Sequence, residues 1–187
     1  MSVPIVVYDA CVLHPPSLRD LLVRLAAAGV VRARWTERIL DEVFESIHRR
    51  RPDLDAARLL RTRQMMCEAV PECLVTDYEE DIGGLHLPDP DDRHVLAAAI
   101  RSGATTIVTA NLKDFPASAL AHLGVEAVHP DDFVADLVGA VPASVLRVLN
   151  EQVGALRSPP RQLGELLETL ERNGLERAMN GVRALVG

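Results

Sequence analysis

Ile5-Val6-Val7-Tyr8-Asp9 decides how the rest of the chain is read. Four apolar residues run together without alternation and end in one acid. A short, β-branched run of this kind suits a strand covered on both faces, as strands of parallel sheets are. A carboxylate closing such a strand costs burial energy unless it is paired or bound to a cation. The plain alternative is that Asp9 caps a following helix.

Outward from this strand, helices and strands alternate. Residues 18–28 read as a helix stopped by Gly29, and 30–35 as a strand. Thr36 is placed to cap a helix running through about Arg49. A helix over 54–69 and a short strand at Leu74-Val75-Thr76 follow. In Leu87-Pro88-Asp89-Pro90-Asp91-Asp92 the prolines mark a helix start with Asp89 as its N-cap, and Gly103 ends that helix. Thr105-Thr106-Ile107-Val108-Thr109 and residues 125–128 are the last strand candidates. This alternation predicts an α/β sandwich with a mainly parallel sheet. Beyond about residue 138 only helices are expected. One covers 141–156, Ser158-Pro159-Pro160 is a break, and two short helices divide at Asn173-Gly174. The expected organisation is one unit over 1–138 and a helical C-terminal extension over 139–187.

The net charge of −7 argues against a protein that coats nucleic acid, but not against a nuclease whose clustered carboxylates await cations. No apolar run approaches the ~20 residues of a membrane helix, and the N-terminus lacks a signal-peptide layout, so a cytoplasmic protein is expected. Cys11, Cys67 and Cys73 form no CxxC pair and are odd in number, which fits free thiols better than a disulfide framework or a zinc site.

Ligands of a parallel sheet gather at the carboxyl ends of its strands. Asp9 lies at one such end, and Thr109, Asn111 and Asp114 follow another. Asp92 stands three, four and seven residues before Val95, Leu96 and Ala99, so it heads the buried stripe of its helix. Asp89 and Asp91 suit capping and dipole compensation instead. Asp41 and Glu42 flank the stripe Ile39, Leu40, Val43 and Ile47 on opposite sides, and either could reach a site. A solvated helix flank is the plain alternative for both, and a turn role is the alternative for Asp114. Carboxylates that converge repel one another and need a cation or a raised pKa. All-oxygen ligands suit magnesium or manganese, which activate water against a phosphodiester. No G-x-S-x-G nucleophile and no Gly-rich phosphate loop is present.

Four stretches carry a family resemblance. Val6-Val7-Tyr8-Asp9-Ala10-Cys11-Val12-Leu13 resembles the opening strand of PIN domains, and Ile39-Leu40-Asp41-Glu42-Val43 their second acidic motif. Asp92-Arg93-His94-Val95-Leu96-Ala97-Ala98-Ala99 looks like the third, and Ile107-Val108-Thr109-Ala110-Asn111-Leu112-Lys113-Asp114-Phe115 like the fourth. Within that family the chain is similar to the longer VapC-type bacterial toxins with a helical C-terminal extension. The resemblance implies a three-layer sandwich with strand order 3-2-1-4-5. It also implies an endoribonuclease with Asp9, Glu42, Asp92 and Asp114 as catalytic and metal-binding acids, a cognate antitoxin and a homodimer. Thr109 and Asn111 are then orienting residues. Ala10 and Cys11 depart from the family's serine or threonine and asparagine, which would weaken support of Asp9.

Arg49-Arg50-Arg51 is the densest basic run and a candidate RNA contact; its alternative is a solvated surface balanced by Glu45, Asp53 and Asp55. His14 and His94 lie near motif acids and are read as phosphate contacts or plain surface residues, and Trp35 as core. A receiver-type phosphorylation domain is disfavoured because residues 5–9 hold one acid, and a haloacid-dehalogenase phosphatase because position 11 is cysteine. The remaining rivals are a non-enzymatic PIN-like binding module and a housekeeping nuclease without an antitoxin.

Overall fold

The computed structural model describes residues 3–156 and 161–187. The expected break at Ser158-Pro159-Pro160 lies outside the described residues. Four parallel strands, β1 (Ile5–Tyr8), β2 (Arg32–Arg34), β3 (Thr106–Val108) and β4 (Glu126–Val128), lie in the order β2-β1-β3-β4. Val6, Val7 and Tyr8 are all buried, so the central strand is covered on both faces, as its unbroken apolar run requires.

The strand expected at 74–76 survives as a single parallel bridge between Trp35 and Leu74. Trp35 N–H donates to Cys73 O at 2.9 Å and Val75 N–H to Trp35 O at 2.9 Å. Counting that bridge as the third strand gives the order 3-2-1-4-5. Its brevity has a local cause. Glu72 and Asp77 both take positive φ, 58° and 59°, which breaks the extended backbone on either side.

Helices α1 (Ala10–Leu13), α2 (Pro16–Ala27), α3 (Glu37–Arg50), α4 (Ala56–Ala69) and α5 (Glu79–Ile82) fill the first half of the chain. Thr36 caps α3, its hydroxyl accepting from Ile39 N–H at 3.1 Å. The proline-rich helix start opens with a tight 3₁₀ turn over Pro90–Asp92, and only then comes α6 (Arg93–Ser102), ended by Gly103 in the left-handed region. α6 packs on β1, β2 and β3. Tyr8 stacks on Trp35 with ring centroids 6.2 Å apart, meets Phe133 edge-on, and donates its hydroxyl to Leu22 O. Trp35 is fully buried, in keeping with a core role.

α7 (Ala117–Leu120) lies in the connection from β3 to β4, and α8 (Pro130–Ala140) follows β4. α8 was not anticipated, although His129-Pro130-Asp131-Asp132 repeats the start signal seen at 89–92. His129 Nδ1 accepts from Asp131 N–H at 3.2 Å. α9 (Pro142–Ala155), α10 (Leu163–Arg172) and α11 (Glu176–Val186) form the tail. Buried Gln152 ties α9 to α2, its Nε2 donating to Ser17 O at 2.9 Å. α11 lies along α8. The Asp131 carboxylate of α8 accepts from Arg177 N–H and Ala178 N–H, at 3.0 and 2.8 Å, capping the first turn of α11 from outside. Among the described residues, no helix is long and apolar enough to cross a membrane.

Candidate active site

The site forms where β1 and β3 end beside the start of α6. Asp9 is 7% exposed, so its hydrogen bonds decide whether it can carry charge. Its Oδ1 accepts from Ala10 N–H at 2.7 Å, which caps α1, so the capping alternative is part of its role. Its Oδ2 accepts from Thr109 Oγ1 at 2.7 Å and from the Cys11 thiol at 3.0 Å. Thr109 is fully buried and also accepts from Asn111 N–H at 3.0 Å. The departures at positions 10 and 11 therefore do not strip Asp9 of support. A backbone amide and a thiol do the work expected of polar side chains. Cys11 is exposed as a residue, yet its sulfur also accepts from Ala110 N–H at 3.3 Å, joining the ends of β1 and β3. Burial and the neighbouring Asp9 push this thiol up to about 12, which leaves it no nucleophilic character near neutral pH.

Capping is divided unequally among the acids of the α6 start. Asp89 accepts from Asp91 N–H at 2.9 Å and does the capping. Asp92 makes no side-chain cap bond. Its carboxyl is pushed up to about 6, first by burial and then by Asp9, Asp89 and Asp114, with His94 pulling the other way. Asp9, Asp92 and Asp114 thus share one electrostatic neighbourhood. Asp114 sits in a 3₁₀ turn over Leu112–Asp114, where the exposed Asn111 donates its side-chain amide to Asp114 Oδ2. Among the described residues, no three of these groups stand together as a ready-made ion cage.

The two acids that flank the α3 stripe face different neighbours. Asp41 is held by Arg63 of α4 at 2.6 Å, away from the strand ends. Glu42 accepts from Arg38 at 3.3 Å and lies 3.0 Å from His94 Nε2, within the wall of a cavity that includes Ala10 and Cys11. His94 corrects both readings given to it above, since it is 1% exposed and contacts Glu42. Its neighbours held the signal: residues 94–99 are all buried, so α6 has little solvent face to offer a histidine. Arg38 was also overlooked, though Arg38 and Glu42 are one helical turn apart. Arg38 further reaches the Asp91 carbonyl at 3.4 Å, bridging α3 to the α6 start.

The arginine run does not act as a unit. Arg51 clamps Asp53 through two hydrogen bonds of 2.9 and 2.7 Å, as the balanced-surface alternative anticipates. Arg49 is exposed on α3, and Arg50 lines the cavity beside Glu42.

Known proteins resemble the chain over two stretches. A family model described as PIN domain matches residues 5–113, and one described as VapC50 C-terminal domain matches residues 130–184. Over 79 residues the chain is 44% identical to the protein named "Putative ribonuclease VapC50" of Mycobacterium tuberculosis (strain ATCC 25618 / H37Rv), a match covering 42% of this chain and 47% of that one. The match therefore spans about half the length of that curated relative. No solved structure matches the chain. With the PIN model covering more than half the residues, the chain belongs to the PIN-domain family.

Proposed function

We propose that the chain is a magnesium- or manganese-dependent endoribonuclease, the toxin of a toxin–antitoxin pair, in which Asp9, Glu42, Asp92 and Asp114 form the catalytic and metal-binding set. One observation carries the reading. Asp92 is left uncapped, and burial first, then the neighbouring acids, drive its carboxyl up to about 6. A site that makes its own negative charge more costly than in water is suited to a positive guest. The donors are carboxylate oxygens, which fit a hard divalent ion. Bound there, such an ion would lower the pKa of a water and offset charge on the phosphodiester.

The chain's own residues hold the acids in place. Thr109, Cys11 and Ala10 N–H fix Asp9, Asn111 restrains Asp114, and His94 with Arg38 positions Glu42. Hydrolysis joins the oxygen of water to phosphorus and breaks one P–O ester bond, with a proton delivered to the leaving oxygen. In the same reading residues 1–138 are the nuclease unit and 139–187 its extension. The protein works as a cytoplasmic homodimer silenced by a cognate antitoxin. The named ribonuclease relative supports the RNA substrate.

The second reading is a non-enzymatic PIN-like binding module. It is favoured by the lack, among the described residues, of three groups poised together on an ion. Purified protein freed of inhibitor should cut structured RNA only with magnesium or manganese, and Asp9→Asn and Asp92→Asn should abolish cutting. Intact RNA across varied substrates would favour the second reading, and variants as active as wild type would show that these acids do not carry the cutting.

A further inference from the structure

A cavity of about 380 Å³ lies between α1 and α3, next to the acids but reaching well past them. Its wall on α3 is Glu42, Ser46 and Arg50, and its wall on the other side includes Cys11, His14 and Pro15. Residues 42, 46 and 50 recur every four positions and so share one helix face. At 1.5 Å per residue they span about 12 Å along the axis. The cavity is therefore an elongated trough, acidic at the catalytic end and basic at the far end.

The far end is equipped for a phosphate. Among the described residues Arg50 is in no ion pair, whereas Arg51 beside it is clamped to Asp53 and Arg63 is shared between Glu37 and Asp41. A guanidinium without an acid partner presents a fork that matches two phosphate oxygens. His14 stands within reach of Arg50. Burial first, then the positive charges of Arg50 and Arg19, lower its pKa, so it adds a neutral imidazole to the wall. Its Nε2 is shut off from solvent and has no hydrogen-bond partner among the described residues. The residue lines the cavity, so a ring rotation would bring this unpaired nitrogen to a hydroxyl seated there. Ser46, half-buried midway along the trough, is a second such group.

We propose that this trough seats the nucleotide of a single RNA strand adjacent to the bond that is cut, with Arg50 gripping its phosphate and Ser46 and His14 facing its ribose. The proposal rests on the nuclease reading and deepens it by assigning the site a polarity. The strand runs from the acids toward Arg50 along the 42–46–50 face. The 2′-hydroxyl both donates and accepts, and it is the group by which a protein separates RNA from DNA. The neutral imidazole and the serine hydroxyl are matched to it.

Binding can be measured apart from cleavage in the full chain carrying Asp92→Asn. The probe is a 5′-fluorescein single-stranded RNA of mixed sequence, about a dozen nucleotides long, and its deoxy counterpart. Anisotropy is read in magnesium over a series of salt concentrations. Arg50→Ala should weaken RNA binding about 10-fold and reduce the salt slope by about one, with Arg50→Lys in between. Arg49→Ala and Arg51→Ala should stay within about 2-fold, because neither lines the trough. Ser46→Ala and His14→Ala should narrow the preference for RNA over DNA. Equal losses at positions 49, 50 and 51, or no loss at 50, would overturn the proposal. In the Asp92 protein, Arg50→Ala should raise KM with little change in kcat. Cleavage with an unchanged KM sinks the trough and leaves the nuclease standing. Arg50-dependent binding without any cleavage by wild type sinks the nuclease reading alone.

Discussion

His94 Nε2 lies 3.0 Å from Glu42 Oε1, so α6, which follows Asp92, reaches across to the helix that carries the second motif acid. With a proton on Nε2 the contact is a hydrogen bond. It fixes a side chain that would otherwise be a half-exposed helix flank. Because His94 is buried, the link is rigid at one end. His94→Leu should lower cleavage roughly 10- to 100-fold, the usual effect of losing a group that orients a ligand. The loss should fall on kcat at saturating RNA, and His94→Gln, which can restore a donor, should recover part of it. Steady-state kinetics beside thermal melts will show it. A fall in melting temperature with kcat unchanged in the folded enzyme would reduce His94 to packing.

Asp92 should cost the metal-free protein stability. Its carboxyl is raised to about 6, whereas an unfolded aspartate titrates near ~3.9. The folded state therefore binds the proton more tightly. That contribution is fully present below pH ~4 and is lost as pH rises through about 6. In EDTA, Asp92→Asn should melt higher than wild type at neutral pH and equal to it in acid. After a discount for solvent screening the gain is on the order of 1 kcal/mol, or roughly 2–4 °C. Added magnesium or manganese should close the gap by raising wild type alone. If the two proteins melt together at pH 7 in EDTA, the acids are not in electrostatic contact.

Thr109→Val keeps shape but removes a hydroxyl that serves both Asp9 and Asn111 N–H. Stranding buried polar groups should cost about 1–3 kcal/mol of stability. Manganese affinity should fall roughly 10- to 100-fold, read by titration calorimetry, and Thr109→Ser should restore most of it. A valine variant that binds manganese as wild type does would remove Thr109 from the support of Asp9.

A side chain at Gly181 would meet Val138 Cγ1 at 3.3 Å, so α11 approaches α8 closely there. Gly181→Leu should destabilise the fold by about 1–3 kcal/mol through overpacking. Cleavage per folded molecule should stay the same, since the contact is remote from the acids. Denaturant melts paired with activity at low temperature separate the two effects. A leucine variant as stable as wild type would mean that α11 is free to shift on α8.

The half of the chain that carries the motif acids was legible where one local rule dominates. The apolar run before Asp9 specified a doubly covered strand, and Thr36 and Gly103 specified helix ends. Asp89 as the N-cap followed from the proline-marked helix start, and Asp92 was set apart by its place at the head of the buried stripe. Other features depend on contacts between distant segments, which periodicity does not carry. His94 meeting Glu42 and Cys11 supporting Asp9 are of this kind. Of Asp41 and Glu42, spacing alone could not choose, because the choice lies in Arg63 on α4 and His94 on α6. The third strand shrank to a bridge because of backbone angles at Glu72 and Asp77, residue types that carry no glycine-like warning.

The cap that Asp131 places on α11 sets an order of events during synthesis. Every proposed acid is in the chain by residue 114. The amides that Asp131 accepts from are 46 and 47 residues further along the chain than it is. Until they emerge from the ribosome, Val138 of α8 lacks its cover at Gly181, and closing that long loop carries an entropic toll. Half-made chains therefore carry the proposed acids on an unfinished core, a state open to chaperones and aggregation. A helix that carries none of the proposed acids thus completes the core on which they stand.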